Sequence, residues 1–269
     1  MPQLDDILSD LRAEGDSLDA LVADLDEEMW RRDTPAAGWT VAHQIAHLHW
    51  TDHVAALTTA GAAGDDKASA AFDAVIAEAL ATMDTFVDAA ADELAGERIG
   101  AILSKWRLGR DRLLDVLPQV PSGTKIRWFG PPMSAASMAT ARIMETWAHG
   151  QDVADALGVV REPTAALRHV AHIGVRTRDF AYALREQAPP SEPFRIELAA
   201  PSGEVWTWGS DDAAQRVSGS ALDFCLLVTQ RVHRLDTDLV AEGEDASHWL
   251  TIAQAFAGAP GGGRNRVPQ

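Results

Sequence analysis

The sequence predicts a mostly α chain in two parts, a helical bundle over residues 1–160 followed by a smaller α+β domain over 161–269. Three observations carry this. The chain has 269 residues, about twice the common domain size. Apolar residues recur at helical spacing through the first 158 positions, and after Pro163 the pattern turns in places to the alternation of strands.

Leu4, Ile7, Leu8, Leu11, Leu18, Leu21, Val22 and Leu25 follow the i, i+3, i+4, i+7 rule with acids opposite them, predicting a long amphipathic helix. The stretch 33–38, with its proline and glycine, ends that run, and Thr40 is placed to cap a second helix reaching towards Ala60. After a loop at Gly61 to Asp66, helices are expected over Ser69 to Leu94 and Ile102 to Leu117, the latter closed by Pro118, Pro121 and Gly123. Ser134 is the expected N-cap of a helix running to Leu157, with Gly158 as its stop. In the second part a helix over Thr164 to Arg185 precedes a hairpin, Phe194 to Leu198 and Val205 to Trp208 around Pro201-Ser202-Gly203. A strand at Gln215 to Ser218, a helix at Ala221 to Val232, a strand at Thr237 to Val240 and a helix at Ala246 to Phe256 complete it. The Gly-rich tail from Gly261 to Arg266 is expected to be mobile.

The balance of 23 Lys and Arg against 40 Asp and Glu gives a net charge of −17, a surface that repels nucleic-acid phosphates. A single cysteine, Cys225, excludes an internal disulfide and any thiolate-rich metal site; set among Phe224, Leu226 and Leu227 it reads as a small buried hydrophobe. The N-terminus is acidic where a signal peptide is basic, and no run of about 18 apolar residues occurs, so a cytoplasmic protein without a membrane span is expected.

Four of the nine histidines fall within residues 43–53. On a helix His43 and His47 stack on one face and His49 with His53 on another, so one pair at most points into a given site. His49 and His53 are expected in a solvated or interhelical role. Glu145 and His149 are also i, i+4 on the helix that closes the bundle. Two donors on one helix face plus an imidazole from a facing helix give a His2Glu set suited to zinc or another divalent metal, with room for water or substrate. By spacing alone an exposed i, i+4 pair is the commoner explanation of such a Glu and His. His43 is a candidate base, although a packed, hydrogen-bonded histidine is the simpler reading. Asp152, one turn beyond His149, is placed to bind its second ring nitrogen or to cap the turn, and Arg142 to neutralise a carboxylate or hold an anionic substrate. Trp206 and Trp208 share one side of a strand and read as core.

The segments Gly38-Trp39-Thr40, His43, Ala46-His47-Leu48, Arg142, Glu145, His149 and Asp152 resemble the metal-binding domain of mycothiol-dependent maleylpyruvate isomerases, within the wider DinB-like superfamily of four-helix bundles. The resemblance spans most of the first part, and its ligand positions fall on His47, Glu145 and His149. It is clearest to an uncharacterised actinobacterial branch, through Trp128 to Ser134, Glu145 to Asp152 and Asp223 to Arg231. More loosely, the second part is similar to that family's α+β module of sterol-carrier type. The stretch from Thr237 to Leu250 is similar to a short module of wybutosine-making enzymes, a chemistry that the acidic charge and the lack of an iron–sulfur cysteine set argue against.

The resemblance implies a zinc-dependent isomerase or thiol transferase, with a hydrolase less favoured, using mycothiol as co-substrate on a small molecule. The site would lie in the cleft between the domains, with Arg231 contributing a carboxylate contact, in a monomer or a homodimer. The competing expectations are a metal-stabilised protein that binds a hydrophobic ligand without catalysis, and a metal-free structural bundle in which His47 and His149 stay apart.

Overall fold

The computed structural model describes residues 3–82 and 85–266. The chain divides into two compact units, Met1–Arg161 and Glu162–Gln269, and each is described by itself.

In the first unit, α1 (Leu4–Val22) is followed by the short α2 (Glu27–Trp30) and then by α3 (Val41–Ala62). Around α3 are α4 (Asp66–Ala81), α5 (Phe86–Ala95), α6 (Ile99–Val116) with a 3-10 turn at Leu117–Gln119, and α7 (Ala135–Leu157). The four long helices α1, α3, α6 and α7 form the bundle: α3 packs on α6 and α7, and α1 on α7, while α4 and α5 add a layer against α3. The core joins Leu18 and Val22 of α1, Trp30 of α2, Ile45 and Leu48 of α3, Leu94 of α5, Ile102 and Trp106 of α6, and Val153 of α7. Because it is enclosed by neighbours, α3 has no solvent stripe; it buries Val41, Ile45, Leu48 and Val54 together with Gln44, His47, Thr51 and Asp52. A helix apolar on all sides belongs at the centre of a fold, and polar groups buried on it need partners. Those partners build the site below.

The helix expected over 69–94 is two. Thr82 follows the end of α4 and Thr85 precedes α5, with the Thr85 N–H donating to the Thr82 carbonyl at 3.0 Å; Met83 and Asp84 lie outside the described residues. Gly61, read as loop, is helical, and the stop comes at Asp65, whose carboxylate accepts from the Lys67 and Ala68 N–H groups to cap α4. The start and end of α7 lie where the sequence puts them: the Ser134 hydroxyl accepts from the Ser137 N–H, and Gly158 ends the helix at φ +68°.

The second unit contains α8 (Leu167–Arg176), α9 (Arg178–Ala183), β1 (Phe194–Ala199), β2 (Val205–Trp208), β3 (Gln215–Ser220), α10 (Ala221–Val228), a 3-10 turn at Arg234–Asp236, β4 (Val240–Glu242) and α11 (Glu244–Ile252). The sheet order is β2-β1-β3-β4. The expected hairpin is present, with Ile196 opposite Trp208 and Leu198 opposite Trp206; β1 runs parallel to β3 and β4 antiparallel to β3. Phe194, Ile196, Leu198, Val217, Phe224 and Trp249 form its core. Trp206 is buried, and Trp208 on the same side is partly buried, its indole N–H directed at His172 Nδ1 at 3.3 Å.

Several boundaries differ from the sequence reading; the last helix, expected over Ala246 to Phe256, runs from Glu244 to Ile252, where Ala253 leaves the helical conformation at ψ 133°. The helix expected over 164–185 breaks at Thr177, whose hydroxyl donates to the Gln254 carbonyl at 2.7 Å, a tertiary bond invisible in sequence. Strand β4 begins at Val240, after the 3-10 turn, rather than at Thr237. Helix α10 stops at Val228 instead of continuing to 232 because Gln230 adopts φ +62°, with the Gln230 N–H bonded to Leu227 O and the Arg231 N–H to Leu226 O. This is a Schellman closure with glutamine at the position glycine usually fills. The tail beyond Gly261 forms no helix or strand among the described residues, and Arg185 donates to the Gly261 carbonyl at 3.3 Å. Among the described residues no helix is long and apolar enough to cross a membrane.

Candidate metal centre

The capped start of α3 and the middle of α7 face one another. His47 comes from α3, and Glu145 and His149 are one turn apart on α7. One donor atom from each lies within 4.8 Å of the other two. His149 Nε2 is 3.3 Å and His47 Nε2 3.8 Å from Glu145 Oε2, and the two imidazole centroids are 4.6 Å apart. The metal-free structural bundle required these histidines to stay apart, and they do not.

Burial pushes the Glu145 carboxyl upward, but the adjoining His149 and His47 imidazoles, with the charge of Arg142, outweigh it and hold the group well below the usual carboxylate range. Two imidazole nitrogens and a carboxylate oxygen, none exposed, facing one small volume are the donor chemistry of a borderline divalent ion. The residues fit such an ion.

A directional hydrogen-bond chain orients His149. Its Nδ1 meets Gln44 Oε1 at 2.5 Å; Gln44 Nε2 donates to Thr34 Oγ1 at 2.9 Å; the Thr34 hydroxyl donates to the Trp39 carbonyl at 2.8 Å. With the Gln44 amide nitrogen committed to Thr34, its oxygen can only accept, so Nδ1 of His149 carries the proton and Nε2 is the nitrogen turned to Glu145. The turn at 33–40, closed by the Thr34 N–H on the Trp39 carbonyl at 2.8 Å and passing through Gly38 at φ +82°, also sets the Trp39 indole over the site. That ring stacks on His149 at 6.0 Å and 21°, lies 5.2 Å from His47, and is anchored by its N–H to Asp88 at 3.0 Å. Gln44, Thr34 and Trp39 are the members that the spacing argument missed. The only signal for Gln44 was its place one turn before His47 on a buried helix.

Other residues singled out by sequence are held elsewhere. His43 is read above as a candidate base, but its contacts serve the helix start: Nδ1 accepts from the Thr40 N–H at 3.1 Å and Nε2 faces Asp92 at 3.0 Å. Capping competes for the imidazole, and in the structure it wins. Arg142 neutralises a carboxylate, as one of its two expected roles required. It is 1% exposed, with Nε on Asp52 at 2.8 Å and Nη2 on Thr51 Oγ1 at 2.7 Å, which leaves it no route to an external anion. Burial raises the Asp52 carboxyl despite that partner. Asp152 is buried on α7, and the ring nitrogen expected to meet it is bonded to Gln44. His49 and His53 stack at 6.2 Å, apart from the ligand set, with His49 packed against Gly109 of α6. Burial lowers both their pKa values. Arg231, expected on a helix, lies instead in the turn after α10, which ends at Val228, and its Nη1 donates to the Thr229 carbonyl at 2.5 Å. Cys225 is fully buried, its thiol bonded to the Leu167 carbonyl at 3.3 Å and pushed far up by burial.

The chain is similar to known proteins over nearly its whole length. An uncharacterised protein found in two strains of Mycobacterium tuberculosis is 58% identical over 257 residues, covering 96% of this chain and 97% of that one. The fold is similar to crystal structures of the mycothiol-dependent maleylpyruvate isomerase, at a TM-score of 0.59, and of a single-residue variant of it, at 0.61. Each is 14% identical, with 97% of both chains covered. Residues 190–242, which hold the sheet, match a family model described as wyosine base formation. Residues 11–154, more than half of the chain and the whole of the ligand set, match the model of the mycothiol maleylpyruvate isomerase N-terminal domain, and the protein belongs to that family.

Proposed function

We propose that the protein is a zinc-dependent enzyme that uses mycothiol or a similar low-molecular-weight thiol in an isomerase or S-transferase reaction, with hydrolysis less favoured. The observation that carries this is the convergence of His47, Glu145 and His149 in a chain of this family. A divalent ion held there supplies a Lewis acid that lowers the pKa of a bound thiol or water towards neutrality. The protein's own part is positional. Glu145 is kept ionised and so gives the site an anionic donor at neutral pH; Gln44 fixes the His149 tautomer; Trp39 covers two of the rings and limits the access of bulk water. The only cysteine is sealed, so the nucleophile comes from outside the chain. Arg231 is proposed to hold an anionic group of the substrate through its planar fork. The reading places the protein in the cytoplasm, where such thiols are kept reduced.

Metal content of untagged wild type, His47→Ala and Glu145→Ala, read by inductively coupled plasma mass spectrometry, tests the proposal. About one zinc per wild-type chain, lost in both variants, supports it. A wild type that carries no metal and takes none up from added zinc overturns it.

A further inference from the structure

The ligand set has an aromatic wall beside it that the metal chemistry leaves unused. Trp50 follows His47 by three residues on α3 and so stands on the same face, its ring centroid 6.4 Å from the imidazole. Phe129 stacks on Trp50 at 6.0 Å and 24°, and Phe86, at the start of α5, meets Trp50 edge-on at 5.1 Å and 82°. Rings in these geometries hold one another in place.

The segment that presents Phe129 is fixed. Ile126 and Met133 exchange both backbone hydrogen bonds, at 2.7 and 2.9 Å, and the Arg127 carbonyl accepts from the Thr58 hydroxyl of α3 at 2.9 Å. Pro131 and Pro132 restrict the backbone further. On this clamped turn Phe129 keeps 39% of its surface exposed. Rings of this size are ordinarily buried, and this one is held out against Trp50, the ring that neighbours His47.

Arg142 and Arg127 of this unit both have carboxylate partners. Arg142 is buried on Asp52, and Arg127 is bound to Asp73 at 2.7 Å with its guanidinium 5.2 Å from the Phe72 ring. The buried Arg142 offers no fork to a carboxylate, Arg127 is engaged on Asp73 in an exposed pair, and the net charge of −17 works against a dianion.

We infer that the substrate lays a neutral, planar, unsaturated face, aryl or conjugated alkene, against Trp50 and Phe129 beside His47, and that Phe129 determines specificity. The inference rests on the metal-site reading for where the reacting atom sits. It concerns the part of the substrate next to the ligands, whatever group Arg231 holds.

The test is calorimetric titration of zinc-treated full-length protein with two unreactive probes, cinnamamide, which is neutral and aryl-conjugated, and maleate, a dianion. Zinc content is measured on the same samples. Wild type is expected to bind cinnamamide at least about tenfold more tightly than maleate. Phe129→Ala, at an exposed turn position, is expected to weaken cinnamamide by about two- to tenfold, the range of one aromatic contact, with maleate and zinc unchanged. Phe129→Tyr, which keeps the ring, restores wild-type binding. Tighter binding of maleate, or cinnamamide binding indifferent to Phe129→Ala, overturns the inference even where zinc is bound. Phe129-dependent cinnamamide binding in protein that takes up no zinc supports the aromatic wall and overturns the metal reading alone.

Discussion

At the scale of single residues, the centre depends on how Gln44 resolves its own orientation. Replacing it by leucine removes the acceptor on His149 Nδ1 and frees the imidazole to turn or change tautomer. We expect Gln44→Leu to weaken zinc binding by about 10- to 100-fold, read by competition with a chromogenic chelator, while the far-ultraviolet circular dichroism stays that of wild type. Unchanged affinity would mean that the tautomer is set elsewhere. His47, Glu145 and His149 were legible as a pattern because helical periodicity tells which residues share a face. The Gln44–Thr34–Trp39 chain was not legible, because it joins α3 to a turn whose closure depends on the conformation of Gly38 and on backbone bonds between Thr34, Ala36 and Trp39. Of the two readings of His43, spacing shows that it could reach the site but not that the backbone N–H of Thr40 would claim its lone pair.

At the scale of elements, the sequence showed best where an end is set by a local side chain. Ser134 and Gly158 mark α7 because the cap and the left-handed stop are chemistry of one residue. Thr177 and Gln230 were missed because one break depends on a carbonyl 77 positions away, and the other places glutamine where the rule looks for glycine. A test of the local kind is Ser134→Ala, expected to cost about 1 kcal/mol of stability in urea denaturation. Zinc content should be unchanged, since Glu145 and His149 sit several turns into the helix. Loss of metal in that variant would show that the start of α7 frays far enough to reach the ligands.

For the molecule as a whole, two dependences follow from how the first unit is tied together. Arg107 binds Asp19 through Nε at 2.7 Å and Nη2 at 2.5 Å, and Arg110 adds a contact at 3.0 Å, joining α1 to α6. The Arg107 bond is the main cause that holds the Asp19 carboxyl below its ordinary value of 3.8, against burial. A depressed folded pKa stabilises the fold above the unfolded value, and that stability is lost as pH falls from 3.8 through the folded value. Asp19→Asn should therefore be less stable than wild type at neutral pH and flatter in its acid unfolding, the two curves converging at the lowest pH. Parallel curves would show that Asp19 is not the group lost. Zinc should act in the same unit, since an ion that binds only the folded state adds about 2.7 kcal/mol at 100 times its dissociation constant. Chelation should then lower the melting temperature of wild type and leave Glu145→Ala unmoved; equal shifts would place the metal elsewhere.

The second unit carries its own reporter. Cys225 lies with no exposed surface under α8, its thiol bonded to the Leu167 carbonyl, and it is the only cysteine in the chain. A thiol reagent therefore has nothing to modify until that unit opens. The labelling rate of the intact protein becomes a clock for opening events near α10, read without an added tag and separately from anything metal does in the first unit. Where small disulfides are present in solution, the same burial withholds the thiol from mixed-disulfide exchange.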